Sequence, residues 1–367
     1  MSNTIAKRWD IFCRIVDNFG DIGVCWRLSQ QLAHEHHLQV RLFIDDLVIA
    51  SHIIPALNCE LKSQIINHVE ICTWQSANTI QPADIALETF SCELPTDYLA
   101  VMQGNTVWVN LEYLSAESWV ADFHGRSSNN TKPARHFFFP GFTEATGGLI
   151  REAETFQNNQ LIANKMQLKT DALKVSLFCY PHANIHSLLT AMAESNQRVD
   201  CYLPASNILP HVAEFFNLDI IETGSILSKR NLTVHFAPFL SQADYDQLLA
   251  SCDINFVRGE DSWVRAIWAG KPFIWQPYLQ TENTHVTKLN AFLDLFYADC
   301  EAHAKAAVYK THSAWVTNNI TTDIWQNYID MLYVTKAFTL GKASQLATQT
   351  DLASKLVIFL QKVRVKV

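Results

Sequence analysis

Apolar and polar positions repeat along the 367-residue chain in one order: a short β-rich run, a polar turn, then a stretch of helical period. Residues 9–16 (WDIFCRIV) are the first run, DNFGDIG is the turn, and a helical pattern covers 24–36 with Val24, Trp26, Leu28 and Leu32 inward. Further strands are predicted at 40–44, 69–74, 83–87, 106–111 and 136–139, with helical stretches at 53–57 and 61–66. Strands separated by helices imply parallel βαβ units. The polar stretch GRSSNNTKPAR, within 123–136, is expected to be a mobile loop at the rim of a cleft. Gly147, Gly148 and a polar helix over 152–169 read as the end of the first half and its linker.

A second series begins at 172, with strands at 172–180, 199–203 and 233–236 and helices at 185–194, 211–216 and 243–251. The stretch 252–276 follows, then helices at 291–296 and 325–338 and a closing amphipathic helix over 351–362. The reading is an α/β protein with two Rossmann-like domains facing a central cleft. Residues 1–160 form the first domain and 161–348 the second, while 349–367 are a helix that could pack back on the first. The length agrees, since single cores seldom grow past roughly 250–300 residues.

Composition narrows the function. The hydrophobic fraction of 49% and the charged fraction of 17% fit a protein with ample core. A net charge of −8 without a basic block argues against nucleic acid and mildly favours a cationic partner. The nine cysteines are scattered, with no CxxC pair, and read as buried thiols of a reducing cytoplasm. No apolar run of about 18 residues occurs and the first residues carry no apolar signal region, so neither a membrane nor export is expected.

The stretch 252–276, CDINFVRGEDSWVRAIWAGKPFIWQ, carries the densest chemistry. It predicts a buried strand, a polar turn, a short helix and a second buried strand. Asp261 or Ser262 can cap the helix, Gly270 suits its left-handed end, and Pro272 blocks continuation. Arg258-Gly259-Glu260-Asp261-Ser262 then lies between a strand's carboxyl end and a helix's amino end, where amide groups and the helix dipole suit an anion. Arg258 adds a planar fork of donors and Glu260 an acceptor for ribose hydroxyls. The turn is either a well-capped structural element or a site for a nucleotide diphosphate. A second constellation is Asp17-Asn18-Phe19-Gly20-Asp21-Ile22-Gly23 after the first strand. Its two carboxylates either make an Asx-turn and a helix cap, or face a substrate as general base and orienting anion. No P-loop, GxGxxG or GxSxG is present. No metal and no further cofactor are expected at a diphosphate, whose charge the helix end is expected to carry.

Two Rossmann-like halves around one cleft are the GT-B arrangement of many sugar transferases. Residues 17–28 (DNFGDIGVCWRL) and 258–262 together resemble EarP, the protein-arginine rhamnosyltransferases that glycosylate translation elongation factor P. Further matches run through Phe178-x-Tyr180, Pro238-Phe239, Gln242-x-x-Tyr245 and Ala269-Gly270-Lys271-Pro272-Phe273-x-Trp275. The resemblance implies a GT-B fold, with elongation factor P held by the first domain and dTDP-β-L-rhamnose by the second. It implies transfer to one arginine with inversion. It puts Asp21 at the catalytic base, Asp17 at a second essential acid and Glu260 at a donor-side carboxylate. Asn18, Phe19, Gly20, Arg258, Asp261 and Ser262 fall on donor-lining positions, and Tyr180, Phe239, Gln242 and Tyr245 on the nucleotide-base pocket. The family pattern departs after Trp275, where His-Ile-Tyr-Pro-Gln is replaced by residues 276–280, QPYLQ. Phe90, Glu112, Tyr113 and the loop near Arg126 are candidates for the acceptor side by their place in the first domain. The alternatives are a sugar-nucleotide epimerase, another GT-B transferase, or a binding protein without catalysis.

Overall fold

Chain order reverses beside the first strand of each of two sheets, and this one topological fact sets where chemistry can occur. The structure is a computed structural model and describes residues 7–17, 19–102, 106–128, 133–156 and 171–365. The first sheet holds β1 (Arg8–Cys13), β2 (Gln39–Ile44), β3 (Ser63–Ile66), β4 (Val69–Thr73), β5 (Ile85–Thr89), β6 (Val107–Leu111), β7 (Ser127–Ser128) and β8 (Arg135–Phe138). Their order is β3-β4-β2-β1-β5-β6-β8-β7. The six inner strands pair in parallel, and β3 and β7 close the edges antiparallel. Helices cover both faces of such a sheet, so β5 and β6 are buried throughout and their apolar runs are nearly continuous.

The second sheet holds β9 (Leu173–Leu177), β10 (Val199–Pro204), β11 (Ile226–Lys229), β12 (Leu232–Ala237), β13 (Ile254–Arg258) and β14 (Phe273–Gln276), in the order β11-β12-β10-β9-β13-β14. Only β11 runs antiparallel. In both sheets the first strand sits between its successor and a later strand. The carboxyl ends there diverge and leave room for ligands.

The chain divides into two compact units. One comprises Met1–Ala153 with Ala347–Val367, the other Glu154–Leu346. The last helix, Leu352–Val365, is thus part of the first unit. The Phe359 ring lies 5.5 Å from Phe138, the Leu352 N–H donates to the Leu149 carbonyl at 2.9 Å, and Lys355 Nζ donates to the Thr146 carbonyl at 2.9 Å.

Some expectations need correction. The helix expected at 61–66 is the strand β3, paired with β4 through a tight turn at Asn67 and His68 with φ of 47° and 64°. Two successive left-handed residues suit the twist of a hairpin, which the Asn here signals. The helix expected at 325–338 is two helices, Thr322–Asp330 and Leu332–Leu346. Ala302–Val316 is a helix that no expectation covered. Its buried face (Ala304, Ala307, Val308, Thr311, Trp315) is partly alanine and threonine, so the apolar period is faint. The predicted helix at 152–169 falls largely on 157–170, outside the described residues.

Candidate active site

The switch point of the first unit holds the acidic turn. β1 ends at Cys13, and the helix Gly20–His34 begins where the Gly20 N–H reaches the Asp17 carbonyl at 2.7 Å. Asp21 lies in the helix's first turn and is 2% exposed. It does not cap that helix. Its Oδ2 turns back to the preceding loop and accepts the N–H groups of Val16 at 2.7 Å and Asp17 at 2.8 Å. The Tyr113 hydroxyl donates to Oδ1 at 3.3 Å. Burial pushes the Asp21 carboxyl above its ordinary range, while these three hydrogen bonds pull the other way and Asp45 adds to the rise. Asp17 is half-buried, and its carboxylate lies over Gly20. A Cβ at Gly20 would stand 2.9 Å from Asp17 Oδ2, so a side chain there would push the Asp17 carboxylate aside. The Phe19 ring is 5.6 Å from His52, and Asn18 lies outside the described residues.

Tyr113 follows β6 and stacks on Phe90, which follows β5, with centroids 4.3 Å apart and planes 12° apart. Phe90 and Ser91 both have φ of 56°. Such a pair needs support, and the neighbours give it. The Phe90 N–H donates to the Leu111 carbonyl at 2.7 Å and the Ser91 N–H to Asn110 Oδ1 at 3.0 Å. Asn110 Nδ2 donates to Ser91 Oγ at 3.1 Å and also to Glu112. Arg135 ties Glu88 at 3.0 Å and Ser91 Oγ at 3.3 Å into the same mesh. Burial raises the Glu112 carboxyl, against the lowering pull of Arg135. The Arg126 guanidinium lies 4.8 Å from the Phe123 ring.

In the second unit the switch point lies between β9 and β13, and Arg258 closes β13 there. It is 9% exposed, with its guanidinium carbon 4.4 Å from the Phe178 ring centre and 4.6 Å from that of Tyr180. Its Nη1 donates to the Cys179 carbonyl at 3.4 Å. A cation held over two rings and a carbonyl has a fixed direction before any ligand arrives. The helix Asp261–Ala269 follows. Its N-cap is Glu260, not Asp261 or Ser262, and the Glu260 side chain makes no capping bond. Ser262 Oγ instead accepts the Arg258 N–H at 3.1 Å and donates to the Arg258 carbonyl, clamping strand end to helix. The Gly259 N–H goes to the Gln276 carbonyl at 3.2 Å. The amides of Arg258 and Gly259 are therefore taken, and any anion meets the helix's own first turn. Beneath, Trp263 stacks on Trp275 at 3.7 Å, and Trp275 Nε1 donates to the Gly259 carbonyl at 2.7 Å.

The base-pocket candidates gather around Arg258 and Asp261. The Tyr245 ring lies 5.6 Å from Phe178, and burial together with the Asp261 charge raises its hydroxyl well above the ordinary range. Gln242 Nε2 donates to Asp261 Oδ2 at 3.2 Å. Phe239 is partly exposed on the loop that follows β12. Three residues that the motif reading did not select also belong here. Gln276 Oε1 accepts the Tyr180 N–H at 2.9 Å, and Gln276 Nε2 meets His182 Nε2 at 3.3 Å. The His182 ring stacks on Tyr180 at 5.5 Å, and Tyr278 sets its edge on the same ring at 5.8 Å. Burial, His285 and Arg258 lower the His182 pKa, which favours the neutral ring. One signal was available. A glutamine ending the apolar run FIWQ must find partners inside the fold.

Residues 9–361 match the family described as elongation factor P (EF-P) rhamnosyltransferase EarP. A protein-arginine rhamnosyltransferase of Pseudomonas putida is 37% identical, over 96% of this chain and 98% of its own length. The structure solved for EarP-mediated arginine glycosylation of translation elongation factor EF-P superposes with a TM-score of 0.69 and 30% identity, covering 97% of this chain and 99% of that one. MurG of Acinetobacter baumannii, at 11% identity over 97% and 99% of the two chains, shares the fold alone, with a TM-score of 0.51. The architecture is GT-B, and with Asp17, Asp21 and the Arg258–Ser262 turn at the two switch points, the chain belongs to the EarP family of elongation factor P rhamnosyltransferases and is a glycosyltransferase.

Proposed function

We propose that the protein transfers rhamnose from dTDP-β-L-rhamnose to an arginine side chain of elongation factor P, with inversion at the anomeric carbon. The observation that carries the reading is Asp21, a carboxylate withdrawn from water and oriented by two backbone amides at the end of the central strand. A free guanidinium has a pKa above about 12 and is a poor nucleophile. Asp21 localises its charge, aims one nitrogen at the sugar and accepts the proton as the N–C1 bond forms. The C1–oxygen bond breaks with its electron pair passing to the diphosphate. Arg258 and the amino end of the Asp261–Ala269 helix meet that developing charge. Glu260 serves as the donor-side carboxylate next to Arg258. Tyr180, Phe239, Gln242 and Tyr245 take the base, with Gln276 and Tyr278 supporting Tyr180. Phe19 and Gly20 line the sugar, and the family pattern gives Asn18, outside the described residues, the same role. Asp17 sets the loop that carries Asp21. No resident cofactor or metal enters the scheme, and the setting is cytoplasmic, where elongation factor P works.

Mass spectrometry of elongation factor P incubated with the protein and dTDP-rhamnose tests this. The expected product carries one deoxyhexose on one arginine, with the anomeric configuration reversed by NMR. Asp21→Asn lowers turnover by about 10²–10⁴-fold while donor affinity holds. Consumption of the sugar nucleotide with no modified acceptor would instead identify an epimerase.

A further inference from the structure

Asp21 uses its two oxygens differently. Oδ2 is committed to the Val16 and Asp17 amides, so the oxygen that remains for chemistry is Oδ1, and the group seated on Oδ1 is the Tyr113 hydroxyl. Tyr113 comes from a different strand end than Asp21. Its ring stacks on Phe90. Phe90 in turn keeps its left-handed backbone through the Leu111 carbonyl, the Asn110–Ser91–Glu112 bonds and Arg135. The mesh is expensive in strained backbone and buried polar groups, and at its inner end it meets the carboxylate assigned as base.

We propose that Tyr113, backed by Phe90, is a positioning residue that sets the direction and the proton affinity of Asp21 Oδ1. The inference rests on the reading of Asp21 as general base. The hydroxyl donates to the ionised carboxylate and so favours the form that can accept a proton. It also occupies one side of Oδ1, which leaves the other side for the acceptor nitrogen. Asp21 is faced by Cys13 from β1, by Asp45 from the loop after β2, by the Asp17 main chain and by Tyr113. Asp45 and burial raise its pKa, and the Tyr113 bond lowers it. Loss of that bond therefore raises the pKa further, and the acidic limb of the rate profile moves to higher pH.

The test is the pH dependence of kcat/KM for elongation factor P with Tyr113→Phe, which keeps the ring stack and removes only the hydroxyl. The acidic midpoint should rise by roughly half to one pH unit relative to wild type. The deficit should be largest at low pH and narrow as pH increases, while KM for dTDP-rhamnose stays unchanged. Titration of His182 affects both proteins alike and cancels in the ratio. Phe90→Leu, which keeps the hydroxyl but loosens the ring, should move the midpoint in the same direction by less, and it stands in if Tyr113→Phe does not fold. A deficit that is uniform at all pH values, or profiles that superpose, would overturn the proposal and leave the transferase reading in place. A wild-type protein that modifies no arginine would remove that reading itself.

Discussion

Burial opposes the ionisation of Asp21, so its charge weighs against the fold that holds it. Burial raises its carboxyl pKa in the native state above the ordinary carboxylate value. The folded protein then binds the proton more tightly than the unfolded chain does. The stability linked to that proton is present below the unfolded pKa and lost as pH rises through the folded one. Asp21→Asn, neutral at every pH, should therefore raise the midpoint of thermal unfolding at neutral pH. The gain should shrink as pH falls and vanish below about pH 4, as the carboxyl becomes protonated in the unfolded chain as well. A gain of the same size at every pH would show that the carboxylate is not strained by its burial. The same residue shows where sequence reasoning reached and where it stopped. That Asp17 and Asp21 follow a first strand on a glycine turn is written in DNFGDIG. That Asp21 bonds backward, and that its partner is a tyrosine 92 residues away, depends on β6 lying two strands from β1 in the sheet.

At the level of elements, the organising unit is β13, its turn, the helix Asp261–Ala269 and β14. Its two strands and helix agree with the sequence signals because each end is marked by a residue with a physical reason to stop there. Gly270 has φ of 64°, the left-handed value that a side chain resists, and a Cβ would lie 3.0 Å from Leu340 Cδ1. Gly270→Ala should lower stability by about 1–2 kcal/mol, read as a shift in the denaturant midpoint. Because the helix carries the Trp263–Trp275 stack under the Arg258 turn, dTDP affinity should weaken with it. Unchanged stability would mean that the helix end relaxes freely. The amino end was harder to read. Asp261 and Ser262 are both good caps, yet Ser262 clamps Arg258 instead, a choice made by the depth at which the strand ends. Edge strands were the least legible elements. β3 is only four residues, SQII, and its exposure alternates while its polar and apolar residues do not, so no strand period shows in the sequence.

At the scale of the whole molecule, acid sensitivity should differ between the two units. His312 is fully buried in the second unit, its Nδ1 bonded to the Val308 carbonyl at 2.9 Å, and burial lowers its pKa to about 4. The unfolded imidazole titrates near about 6.5. Between those values the unfolded chain holds a proton that the folded one does not. Stability from this group is present above about pH 6.5 and lost as pH falls toward about 4, at up to about 1.4 kcal/mol per pH unit. His312→Leu should flatten the pH dependence of unfolding across that window, followed by calorimetry. An equally steep dependence would assign the effect to other groups. The two-sheet α/β character was legible throughout the chain, because parallel strands buried on both faces leave long apolar runs.

The assignment of Leu352–Val365 to the unit that begins at the other end of the chain has a consequence for biosynthesis. On the ribosome, Glu154–Leu346 emerges whole and can fold as soon as it is clear of the exit tunnel. The unit bearing Asp21 must wait with Phe138 uncovered until Phe359 has been translated. Vectorial synthesis thus makes the first domain to appear complete only after the second, and nascent chains stalled before Leu352 should expose that apolar seam to chaperones.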